Sequence, residues 1–152
     1  MSDVTLRWLV AAVHLLALGI GLGAIVARAA ALGAHLDMTG LRKVFRADNL
    51  WALAGLLWIS TRVPRAFFGL EKGTAYYLES PAFRLKMAFL LALLLLEIVP
   101  VTTLVRWRIG LRRSDILDTS RAMLLARISV VQALLVILMV LAATAMARGV
   151  FS

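Results

Sequence analysis

His14, Lys86 and Glu97 stand inside stretches that are otherwise almost wholly apolar: VAAVHLLALGIGLG at residues 10–23 and SPAFRLKMAFLLALLLLEIVP at residues 80–100. Asp48 and Asn49 in RADNLW, and Arg127 and Gln132 in RISVVQ, are placed in the same way. Each type has a chemistry. A neutral imidazole is a common metal ligand. An ammonium held away from water pairs with an anion or, when its pKa falls, carries a proton. Carboxylates in such surroundings pair with cations. Lone charges are costly there, at roughly 2.5–3.5 kcal/mol each for the centre of a bilayer. These residues must therefore face one another or a bound group, and the elements that carry them have to be established first.

Of the 152 residues, 62% are hydrophobic, and the mean hydropathy is +0.93. A soluble domain is about 45–50% apolar. The composition is that of an integral membrane protein, read as one transmembrane domain over 1–152, because the polar connections are too short to fold separately. The chain has no cysteine, which removes disulfides, thiolate metal sites, iron–sulfur clusters and covalently attached haem. The net charge of +9 points to anionic headgroups and not to nucleic acid in so apolar a chain.

Four apolar windows, at about 8–27, 50–68, 81–104 and 123–146, approach the roughly 20 residues a helix needs to cross the hydrocarbon core. The first is too long for a signal peptide. Arg62, Pro64 and Arg65 interrupt the second, whose pattern reaches back to Leu41. The expected fold is all-α, a four-helix up-down bundle. The connections after the first and third windows hold nine cations (Arg28, Arg42, Lys43, Arg46, Arg106, Arg108, Arg112, Arg113, Arg121) against six on the other side (Arg7, Arg62, Arg65, Lys72, Arg84, Arg148). The richer side is expected to be cytoplasmic. Both termini then face outward, with Phe67, Phe68, Tyr76 and Tyr77 of the 64–80 connection in the outer interface.

At 100° per residue, Lys86 and Glu97 fall within roughly 20° of each other and about 16 Å apart along the axis, with Leu90 and Leu93 between them. They are expected to look into the bundle, while Arg84 points away and snorkels. In the second helix Asp48, Ala52, Gly55, Ile59 and Arg62 form one stripe. In the first, His14, Ala17, Leu18, Gly21 and Ile25 share a face, with room beside the ring for something flat. The opposite face carries Gly19-x-x-x-Gly23-x-x-x-Ala27, a seam for close helix contact. Depth sorts the polar residues into two layers. The inner one, with Asp48, Asn49, Glu97 and Arg127, is expected to hold a structural ion pair, Glu97 with Arg127. The outer one, with His14, Arg62 and Lys86 and with Arg65 and Arg84 at its rim, lacks a carboxylate at matching depth. Such a pocket calls for an anion: a lipid phosphate, a carboxylate-bearing cofactor or a folded-back glutamate from Glu71 or Glu79.

LRKVFRADNLWALAGLLWIS at 41–60 and GLEKGTAYYLESPAFRLKMAFLLALLLLEIVP at 69–100 resemble an uncharacterised family of small bacterial inner-membrane proteins, a domain of unknown function. That resemblance implies topology and location, not an activity. A more distant resemblance is to HemJ-type protoporphyrinogen oxidases and CopD-type membrane domains. These carry a histidine in the first span, matching His14, and a lysine early in a later span, matching Lys86. The chain has Phe83 and Arg84 where that group tends toward tryptophan and histidine. The resemblance implies haem b ligated by His14, its propionates met by Arg62, Arg65 and Arg84, and Lys86 as the catalytic or proton-carrying group of a haem-dependent oxidoreductase.

Three other functions compete. One is a non-catalytic accessory or assembly subunit, alone or as a homo-oligomer. Another is an oligomeric transporter or channel lined by Lys86 and Glu97, although Leu90 and Leu93 interrupt any polar path between them. The third, an enzyme acting on lipid or quinone headgroups, has no acidic pair, nucleophile elbow or phosphate loop to support it.

Overall fold

The computed structural model describes residues 3–67 and 81–148, with side chains for 4–61, 81, 83–145 and 148. The elements are α1 (Asp3–Gly33), α2 (Met38–Phe67), α3 (Pro81–Arg112) and α4 (Ala122–Ala147). The four-helix all-α membrane bundle is as expected, but the helices are longer than the apolar windows. The 31 residues of α1 span about 46 Å at 1.5 Å per residue, against a hydrocarbon core of about 30 Å. Among the described residues, three helices are long and apolar enough to span by themselves, over Val4–Gly33, Phe83–Arg112 and Ala122–Ala145. α2 is not among them, since it carries Arg42, Lys43, Arg46 and Asp48 at its start and Arg62 and Arg65 near its end.

Local chemistry sets the ends. Asp37 caps α2: its Oδ1 accepts the Gly40 N–H at 2.7 Å, and its carbonyl accepts Leu41 N–H at 2.9 Å, which satisfies donors that a helix start leaves open. α3 ends in a Schellman turn, with Asp115 N–H on Gly110 O at 3.0 Å and Ser114 N–H on Leu111 O at 3.3 Å. Ser114 takes the left-handed conformation, φ 59°, that this turn requires. The connection to α4 is pinned by the Trp107 indole N–H, which donates to Asp118 O at 3.0 Å. Hydrogen bonds from the Ser120 side chain and backbone, helped slightly by the Arg121 charge, hold the exposed Asp118 carboxyl below its ordinary value.

α1 packs against α2 and α4, and α3 packs against α4. α1 and α2 run antiparallel and close: a methyl added at Gly21 would stand 3.3 Å from Ala54 Cβ, against the Trp51 ring. The densest apolar core lies at the end that holds the α1–α2 and α3–α4 connections, where Leu32, Val44, Leu104, Trp107 and Leu125 meet. Outside, large apolar side chains such as Leu15, Leu16, Leu56, Leu95 and Leu141 are exposed on all four helices. An apolar surface of this extent suits lipid, not water.

Two expected faces are corrected. Gly19, Gly23 and Ala27 do not form a helix contact within the chain. All three are exposed, and nothing lies within 4 Å of a methyl built on either glycine. The close approach uses Gly21 on the opposite face. The α2 stripe is also rotated: Ala52 and Ile59 are exposed, while Leu41, Val44, Ala47 and Ala54 are buried. Among the described side chains of that stripe, Asp48 alone is buried on the observed inner face.

Candidate functional site

The inner layer closes around Arg28, a residue the sequence reading placed among the interfacial cations. Its side chain is 0% exposed, and all five of its N–H groups are used. Nε–H donates to Ser129 Oγ at 3.1 Å. Nη1 reaches Asp48 Oδ1 at 2.8 Å and Glu97 Oε1 at 2.9 Å. Nη2 reaches Glu97 Oε2 at 3.0 Å and Gln132 Oε1 at 2.8 Å. The pair with Glu97 is bidentate, the strongest geometry a guanidinium offers. Gln132 donates back to Glu97 Oε2 at 2.6 Å, and Arg108 donates to Asp48 Oδ2 at 2.8 Å with its guanidinium over the Phe45 ring at 5.0 Å. Two cations and two carboxylates cancel, and every helix contributes a member.

The expected Glu97–Arg127 pair is therefore replaced. Glu97 binds Arg28 and Gln132, while Arg127 is exposed. Asn49 is exposed as well and lies outside the layer. The signal for Arg28 was present in the sequence: the stripe His14, Ala17, Gly21, Ile25 continues by three residues to Arg28 and by four more to the buried Leu32.

The outer layer lies roughly 16–21 Å away along the helices, from the rise between Glu97 and Lys86 and between Arg28 and His14. His14 stacks on Trp58, with ring centroids 5.3 Å apart and planes 16° from parallel. The flat neighbour expected beside the imidazole is thus an indole of the chain itself. His14 Nδ1 lies 2.9 Å from Thr61 Oγ1. The Thr61 hydroxyl points its one hydrogen at the carbonyls of Leu57 and Trp58, at 2.8 and 3.0 Å. The contact with Thr61 ties the His14 ring to α2.

Lys86 looks into the bundle and is 4% exposed. Among the described residues two buried polar atoms have no hydrogen-bond partner, Lys86 Nζ and Trp58 Nε1. Both belong to this outer layer, and an unpaired buried donor is costly. Arg84 is exposed on the other side of α3. The side chains of Arg62 and Arg65, and Glu71, Glu79 and the aromatic residues Phe67, Phe68, Tyr76 and Tyr77, lie outside the described residues. Among the described residues no three His, Cys, Asp or Glu side chains gather as a metal site, so a metal here would need ligands of its own, as haem iron has in its porphyrin.

No curated protein and no solved structure matches the chain. The architecture and the apolar outer surface agree with the family comparison: the model for "Predicted membrane protein (DUF2214)" matches residues 6–151, and the chain belongs to that family of membrane proteins.

Proposed function

We propose that the protein holds haem b in the outer half of the bundle and takes part in membrane redox chemistry as a haem-dependent oxidoreductase. The observation that carries the reading is the pair of buried, unpartnered donors, Lys86 Nζ and Trp58 Nε1, in the layer of a histidine whose Nδ1 is committed to Thr61. The donor set fits the group. His14 would hold the haem iron, and the Lys86 ammonium would pair with a haem carboxylate through a charge-assisted bond. Arg62, Arg65 and, by reaching round from the other side of α3, Arg84 would be the further cations for that group. The likeness of His14 and Lys86 to the HemJ-type pattern supports the same assignment. When bound, haem supplies one-electron chemistry. Thr61 orients the His14 ring, Trp58 covers one face of the imidazole, and Lys86 would hold or pass a proton at Nζ. The proposed location is a bacterial inner membrane, with the α1–α2 and α3–α4 connections cytoplasmic and both termini periplasmic.

Protein made with ample haem supply and purified in mild detergent should show a Soret band that is lost in His14→Ala and shifted in Lys86→Ala. Folded, monodisperse and colourless protein overturns the cofactor reading. One observation favours a second reading, an accessory or assembly subunit or a homo-oligomer: Gly19 and Gly23 present an open, small-residue face of the kind that membrane helices use to associate.

A further inference from the structure

Where α1 ends and α2 begins, their outer surfaces leave a groove of about 490 Å³. Ala27 and Ala30 line it from α1 and Ala34 from just past its end, with Lys43, Arg46 and Leu50 from α2. The spacing is the same on both sides, i, i+3, i+7, so α2 gives the groove one continuous face and α1 another that Ala34 extends past the helix end. The small alanines create the space, and all six of these side chains are exposed. The groove runs along the helix axes and changes character with depth. Its deep end is Leu50 and Ala27; its shallow end is Lys43 and Ala34. Leu50 lies about 10 Å deeper along α2 than Lys43, by the helical rise. Arg46, between them, has a stem long enough to lay along the alanines and carry its head toward the shallow end.

We infer that this groove binds an anionic phospholipid, its phosphate between Lys43 and Arg46 and one acyl chain along the alanine face. Charge complementarity selects the occupant: two cations stand at the headgroup end of a trough that is otherwise apolar. The trough opens outward from the bundle, and its long axis follows the direction in which acyl chains lie. A soluble anion would satisfy the cations and leave the trough uncovered. The site is separate from the outer layer and stands whether or not that layer holds a cofactor.

The test is native mass spectrometry of the full chain released from mild detergent with equimolar phosphatidylglycerol and phosphatidylcholine. The wild type should retain phosphatidylglycerol in preference by about tenfold or more, as two interfacial cations give an anionic lipid. K43Q/R46Q should bring the preference to within about twofold, and each single variant should lower it by about threefold. A30L/A34L fills the trough and keeps the cations, so it should lower retention of both lipids. R112Q/R113Q, which removes two exposed cations elsewhere on the same end, should leave the preference unchanged. A preference that survives in K43Q/R46Q, or is lost equally in R112Q/R113Q, overturns the site. So does displacement of the bound lipid by soluble glycerol phosphate at equal concentration, which would mark a plain anion site. Circular dichroism and size exclusion verify that each variant is folded, and the single variants decide the matter if the double variant is not.

Discussion

Arg28 shows how a charge can lie inside a membrane bundle without a bound ligand. Its five donors meet four acceptor side chains on three other helices, so the guanidinium is solvated by the protein alone. Removing it leaves Asp48 and Glu97 facing each other without the cation between them, and breaking a buried pair in this way costs about 3–5 kcal/mol. Arg28→Ala should therefore lower the thermal unfolding midpoint in detergent sharply. Arg28→Lys should recover only part of it, because an ammonium has three donors and no fork. Equal midpoints for Arg28→Lys and wild type would contradict the bidentate account. Arg108→Ala should cost far less, about 1 kcal/mol at most, since that side chain is a third exposed and Asp48 keeps Arg28. The sequence made Glu97 legible as an inward carboxylate that needed a cation. It did not reveal which one, because Arg127 and Arg28 lie at similar depth and only the stripe running back to His14 separates them. Lys86 was legible for the same reason as Glu97: eleven residues return a helix to nearly the same face.

At the scale of the elements, the helices were legible from length and hydropathy, and their faces only in part. On α1 the small and apolar positions between His14 and Ile25 point inward as read. On α2 the expected stripe took its face from Asp48 and Arg62, and a long arginine marks a face only weakly, since such a side chain can reach headgroups from several. The inward α2 positions are instead Val44, Ala47, Trp51, Ala54 and Trp58, with the two tryptophans packed on Gly21 and His14. The Gly19–Gly23 motif named a surface suited to close packing without saying whether the partner is in the same chain. Turn chemistry yields a sharper expectation. A methyl on Gly40 would stand 2.6 Å from the His35 carbonyl oxygen, a backbone atom that moves only with the α1–α2 turn. Gly40→Ala should destabilise by about 1–3 kcal/mol, the usual cost of overpacking, although alanine is the better helix former. Ser114→Gly should act in the opposite direction by a few tenths to about 1 kcal/mol, because it relieves a left-handed serine. Paired melting curves of the two variants against wild type check both signs, and a neutral Gly40→Ala would mean that the turn gives way freely.

At the scale of the whole molecule, the structure alters the cation count on which orientation rests. The count set nine cations against six, yet Arg28 is sealed inside the bundle and Arg108 is bound to Asp48. Without those two the comparison is seven against six. The positive-inside rule counts residues near the span ends and takes little account of carboxylates, so Arg108 keeps part of its weight while Arg28, buried among four helices, keeps little. The side of the α1–α2 and α3–α4 connections then rests on Arg42, Lys43, Arg46, Arg106, Arg112, Arg113 and Arg121, most of them exposed at one end of the bundle. Six of these seven fall in two tight groups, within a helical turn or two of the chain reversals, where the rule acts most strongly. The expectation is that this end is cytoplasmic. The chain has no native cysteine, so single cysteines report cleanly. Cysteine placed at Ser2 or Lys72 should react with an impermeant maleimide in intact cells. Cysteine placed at Ile116, exposed in the α3–α4 connection, should react only after the membrane is opened. Reaction of Ile116→Cys alone in intact cells would invert the molecule in the membrane, move the His14–Lys86 layer to the cytoplasmic half and leave the bundle as described. Labelling of Ser2→Cys and Lys72→Cys from opposite sides would instead show that α1 and α2 do not both cross.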